Sequence, residues 1–477
     1  MIAGCFGRRM PSPWANGNLE GISMTDTGAD ALQSVGPNQL NGGLNTLGAA
    51  AAAAKIAAGE ITSEALVGDC LARIDARDGD IHAWAFVDPE LALAGARARD
   101  GEEPLGPLHG VPVGIKDVID TKDMPTEYGS PLYKGNRPDQ DTATVAALRD
   151  AGAVILGKTV TTEFACPFPS VTRNPLDLQR TPGVSSSGSA AAVADFMVPL
   201  ANGTQTGGSV IRPASLCGLY GFKGSLDGLD RTGIRHLKPS IDTLGLMARH
   251  LEDIILMRAA LTGEEASGVT IPADAPRIGI ARTHVWPEAE PESVAMIERA
   301  GGLLARAGAS VEDVELGGEF PAVMERFPYI TSYESVRSAD DFIADHLDQI
   351  NSWSRQGHEF GQKVTIEEYE GAKAAAEQAR ALLAGVFDDY DIFITPSAKG
   401  EAPQDLTAIE GGAFNSLWTL LYAPCVTLPA FTGPNGMPVG LQVVGPQGQD
   451  ARTIANAGWV ERALLEQAGA LPIGAGA

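Results

Sequence analysis

Two glycine- and serine-rich loops, with one apolar helix-forming segment between them, constrain this chain more than any other feature. The first reads P-G-V-S-S-S-G-S over 182–189 and the second G-T-Q-T-G-G-S-V-I-R-P over 203–213. No histidine lies near either loop in sequence, so a serine nucleophile here needs another base. Lys116 is the candidate. It sits in the run G-V-P-V-G-I-K-D-V-I over 110–119, where an ammonium is costly to bury and its pKa falls. Most lysines snorkel to water, but this run is too apolar for a solvated strand. Together the three segments suggest a Ser/Ser/Lys hydrolase.

Ser209 is the candidate nucleophile. Thr206, Gly207 and Gly208 precede it, and consecutive backbone N–H groups in such a turn form a nest able to hold an oxyanion. A G-G-S turn by itself only marks the approach to a helix, for which Pro213 suits a first position. Arg212 is a candidate for an anionic substrate end or for an ion pair inside the motif, and the sequence leaves both open. The segment 152–159 matches G-x-x-x-x-G-K-[ST], yet its four intervening residues are Ala, Val, Ile and Leu, which form a buried strand rather than a phosphate cradle. The seven histidines form no H-x-x-x-H pair and no G-x-S-x-G elbow occurs, so neither zinc nor an ordinary α/β-hydrolase site is expected.

The ordered blocks G-V-P-x-x-x-K-D, P-G-x-S-S-x-G-S and G-T-x-T-G-G-S-x-x-R-P resemble the amidase signature family, with Lys116, Ser185 and Ser209 at its three catalytic positions. The resemblance runs from about residue 47 to the C-terminal helix and includes 152–159 and 437–445. It implies one large α/β/α domain around a mixed sheet of about eleven strands. It further implies that Ser185 relays a proton between Ser209 and Lys116, held by a cis peptide bond to residue 184. Asp117 has a supporting role. The implied reaction is hydrolysis of a carboxylic amide through a Ser209 acyl-enzyme, with esters and carbamates as related substrates and no cofactor. Val184 and Ser187 stand where the family usually has glycine, Gln205 where many members have Asp, and 222–228 departs from the family's K-P-T-x-G. The alternative is the amidase-like subunit of a tRNA-dependent amidotransferase.

A net charge of −25 argues against nucleic acid or an anionic membrane as a partner. A small-molecule amide is the expected partner, and a homodimer is left open. Five cysteines, at 5, 70, 166, 217 and 425, have no C-x-x-C spacing and read as reduced thiols of a cytoplasmic protein. Residues 1–45 lie outside the resemblance and read as a poorly ordered tail, with Met24 a second candidate start and 46–477 the catalytic domain. Strands are expected at 111–119, 153–156, 277–281, 311–316 and 391–396, with helices at 142–150, 190–200 and 292–307. Ser63 is expected to cap a helix. This alternation indicates a mostly parallel sheet covered on both faces. The helical stretch 320–384 is placed on the rim, where it would wall the substrate pocket.

Overall fold

A computed structural model describes residues 42–235, 238–409 and 412–468; most of the expected tail lies outside them. Eleven strands form one sheet: β1 (Trp84–Val87), β2 (Pro112–Lys116), β3 (Val154–Thr159), β4 (Leu200–Gln205), β5 (Tyr220–Lys223), β6 (Thr243–Ala248), β7 (Arg277–Ala281), β8 (Ser310–Val314), β9 (Ile392–Pro396), β10 (Cys425–Thr432) and β11 (Pro438–Val444). Their spatial order is β1-β3-β2-β4-β6-β5-β10-β11-β9-β7-β8. The expected size and mixed character are both present.

The expectation of a mostly parallel sheet is corrected. Parallel pairing is confined to β3-β2-β4 and to β9-β7-β8. The six remaining neighbours pair antiparallel, including the whole centre from β4 to β9. The parallel blocks lie where helices such as Ala143–Asp150, Ser187–Ala194 and Pro291–Arg306 cross between strands. Around them, direct pairing of β5, β6, β10 and β11 reverses the direction.

β2, β3 and β4 are buried along their whole length, which explains why β2 and β3 read as largely apolar runs rather than alternating ones. Thr142 caps its helix by accepting from the N–H of Val145. The cap before Ser63 is Thr62, whose side chain accepts from the N–H of Ala65, so the expected cap moves by one residue. The apolar segment after the first serine loop is a helix only over Ser187–Ala194, and Leu200 already begins β4. The stretch 320–384 is helical, with Phe327–Ser338, Ser352–Gly361 and Ile366–Val386 its longest pieces.

The helix Ser187–Ala194 approaches the sheet very closely. A Cβ on Gly188 would stand 2.3 Å from the Val160 nitrogen and 2.4 Å from the Ala83 oxygen. Both obstacles are backbone, so neither yields cheaply. Gly188→Ala is expected to cost about 2–4 kcal/mol of stability, by overpacking and by displacing the serine loop. Urea unfolding of the variant measures this, and an unchanged midpoint would show that the helix has room.

Candidate active site

Lys116 ends β2 and Thr204 lies near the end of the neighbouring parallel strand β4, so both face the carboxyl end of the sheet, where ligands bind in open α/β sheets. The Lys116 backbone is pinned by donating its N–H to Asn202 Oδ1 at 2.9 Å. Its side chain is fully buried. Nζ donates to Ser185 Oγ at 2.6 Å and to Thr204 Oγ1 at 2.8 Å. Its pKa is lowered to about 7, chiefly by burial and in part by the nearby charge of Lys238, against the pull of Asp242 and Cys166.

Two other lysines, Lys158 and Lys223, are equally buried, which makes comparison of their surroundings decisive. Lys158 donates to Ile119 O at 2.7 Å and pairs with Asp117 at 3.6 Å. Lys223 donates to the Gly224 carbonyl at 2.8 Å. Only Lys116 among them donates to a serine hydroxyl in the glycine- and serine-rich loops. Lys158 sits inside β3, so 152–159 is a strand and not a phosphate loop, as expected. Asp117 supports from the other side: it accepts from the Glu127 N–H and balances Lys158, with burial raising its pKa to about 6.

Of the three positions that the resemblance singles out, the structure joins two by a hydrogen bond, Lys116 and Ser185. Ser185 is buried and hydrogen-bonded to Lys116. Ser209 is half-buried in the turn after β4, and among the described residues no hydrogen bond joins it to Ser185. The expected cis bond before Ser185 is corrected: peptide bonds among the described residues are trans. The chain reverses instead through left-handed Gly183 (φ 98°) and Ser185 (φ 65°). Val184 between them keeps an ordinary φ, so its side chain is accommodated and buried.

Gln205, a departure at sequence level, has a clear structural role. Its Oε1 accepts from the N–H groups of Val210 (2.9 Å) and Ile211 (3.1 Å), and its Nε2 donates to Thr419 Oγ1 at 3.0 Å. The turn 206–209 is thereby held, and among the described residues the backbone N–H groups of Gly207, Gly208 and Ser209 enter no hydrogen bond. Thr206 directs its hydroxyl to Asp242.

A narrow cleft open to solvent adjoins this cluster, with Thr204, Thr206, Tyr128, Phe164, Arg235, Lys238 and Asp242 on its walls. A second, roomier cleft shares Phe164 and Lys238 and is otherwise walled largely by the helical stretch from Thr331 to His358. Arg212 is buried and lines neither cleft. Thr204, Asn202, Lys238 and Asp242 were not singled out from sequence. Thr204 and Asn202 carried a usable signal in lying in or beside the second motif; Lys238 and Asp242 carried none. Among the described residues no group of three His, Cys, Asp or Glu side chains is placed to hold a metal ion, and no helix is long and apolar enough to cross a membrane.

The model of the amidase family matches residues 65–454. The chain belongs to the amidase family. A glutamyl-tRNA(Gln) amidotransferase subunit from Acidothermus cellulolyticus is 33% identical, over 88% of this chain and 95% of its own. Among solved structures, a peptide amidase from Stenotrophomonas maltophilia is 28% identical with a TM-score of 0.77, covering 92% of this chain and 100% of its own. A second solved amidase is 29% identical with a TM-score of 0.81, over 87% of this chain and 99% of its own.

Proposed function

We propose that this amidase-family chain is a cytoplasmic hydrolase that cleaves a carboxylic amide through a serine acyl-enzyme. The observation that carries this is the 2.6 Å contact of Lys116 Nζ with Ser185 Oγ, made by a lysine whose pKa burial has brought to about 7. A lysine near neutrality at working pH is suited to general-base work. Ser209 Oγ attacks the amide carbonyl while its proton passes to Ser185, whose own proton moves to neutral Lys116. The oxyanion is received by the turn of Thr206, Gly207 and Gly208. The proton then returns to the departing amine, and water releases the acid by the same path. Catalytic hydrogen bonds are often loose without substrate, which accommodates the open Ser185–Ser209 link. Esters and carbamates share this tetrahedral chemistry.

A second reading is favoured by the 33% identity to an amidotransferase subunit over nearly its whole length. In that case the chain would release ammonia for partner subunits. Hydrolysis of a simple aryl amide by the purified chain alone supports the free-standing hydrolase. Turnover that appears only on adding amidotransferase partners supports the second reading. The absence of fluorophosphonate labelling at Ser209 would count against both.

A further inference from the structure

Lys238 faces both clefts with an ammonium that has almost no partner. It is half-buried, and among the described residues Nζ makes one hydrogen bond, to the weak acceptor Cys166 Sγ at 3.9 Å. Two carboxylates stand in its field, yet both direct their oxygens elsewhere. Asp242 accepts from Thr206 Oγ1 and from the backbone N–H of Lys238 itself. Glu334 accepts from the N–H and hydroxyl of Ser240 and from Tyr369 OH. Among the described residues neither makes an ion pair with Nζ. Arg235, the other cation on the first cleft, is the opposite case: it is paired with Asp340 at 2.8 Å and lies against the rings of Tyr128 and Tyr133.

A partly buried ammonium on a cavity wall that spends one donor on a weak acceptor keeps donors free for an anion. Burial pushes the Lys238 pKa down, but Cys166, Asp242 and Glu334 together outweigh it and hold the pKa above the ordinary lysine value, so the charge persists at neutral pH. Its distance from the chemistry is short in structural terms, because Thr204, which touches Lys116 Nζ, lines the same cleft. Val118 and Phe164 supply apolar wall between them. We infer that Lys238 is a specificity-determining residue that receives a carboxylate carried by the amide substrate, so that the preferred substrates are amides with an anionic arm.

This inference rests on the amidase reading, and its test separates the two. Two substrate pairs are compared. Succinyl p-nitroanilide against butyryl p-nitroanilide places the carboxylate on the acyl arm. 4-Butyramidobenzoate against its methyl ester places it on the amine arm. The wild-type chain is expected to prefer the anionic member of one pair by about tenfold to a hundredfold in kcat/KM, the range of a hydrogen bond to a charged group. Lys238→Met should erase that preference and Lys238→Arg should retain part of it. Fluorophosphonate labelling of Ser209 certifies that each variant is folded, and Lys238→Gln replaces the methionine variant if that one does not label. No anionic preference in either pair, or a preference that survives in a labelled Met or Gln variant, overturns the inference alone. A wild-type chain that hydrolyses none of the four amides defeats the amidase reading and this inference with it.

Discussion

Lys116→Met is expected to lose most amide turnover and yet to make the protein more stable. Lys116 is fully buried and its pKa falls from 10.5 to about 7. Between those values the unfolded chain binds a proton that the folded chain does not. Stability therefore rises with pH through that window, and the penalty is fully present below about pH 7. Its size is on the order of 5 kcal/mol, at 1.36 kcal/mol per pH unit. Methionine avoids it but leaves the hydroxyls of Ser185 and Thr204 without this partner, at roughly 1–3 kcal/mol. A net gain of about 2–4 kcal/mol at pH 7 remains, shrinking as the pH approaches 10. Thermal unfolding at both pH values measures it, and a variant less stable than wild type at pH 7 would mean that the buried amine is well accommodated.

The same substitution is expected to lower kcat/KM on amides by about 10³-fold. The wild-type profile should show an acid limb with its midpoint near pH 7, falling tenfold per unit below it and flat above. That midpoint belongs to Lys116 in the field of Asp242, Lys238 and Cys166. Activated esters, whose leaving groups need no proton, should lose less. An unchanged acid limb in Lys116→Met would assign the titration to another group.

Ser209→Ala is expected to abolish acyl-enzyme formation and to reduce turnover by roughly 10⁵-fold, the scale seen when a nucleophile acting within a catalytic unit is removed. Stability should move by no more than about 0.5 kcal/mol, because the change deletes one half-buried hydroxyl that has no hydrogen bond among the described residues. Ser185→Ala differs in kind. It takes away the partner of Lys116 and so disturbs the base as well as the relay. Mass spectrometry after fluorophosphonate treatment distinguishes them: an adduct persisting in Ser209→Ala would place the nucleophile elsewhere.

Much of this arrangement was legible in the chain because its parts are locally encoded. β2 and β3 read as strands from unbroken apolar runs, and the two serine loops fell where motif and turn chemistry put them. β5 and β6 did not, since Tyr220–Lys223 and Thr243–Ala248 are stabilised by pairing with each other and with strands remote in sequence. Their pairing is what makes the centre antiparallel. The trans link into Ser185 was equally hidden, because the reversal is shared between two left-handed residues and the motif suggested a single unusual bond. Lys238 follows two residues outside the described set and precedes a proline. Its position on the cleft is decided by how the chain packs around it, not by any pattern in which it takes part.

β2 and β4 pair in parallel with Val113 opposite Leu200 and Gly114 opposite Ala201. Successive side chains on a strand point to opposite faces, so slipping this pair by one residue would turn Lys116 away from Ser185 and present Ile115 in its place. Such a chain would keep its helices and its sheet, and by circular dichroism would pass as native. On the proposed mechanism it would have no base. The ability to form a covalent adduct at Ser209 at neutral pH is thus a reporter of strand register, and in refolding it should recover only when this one alignment is reached, later than the secondary structure itself.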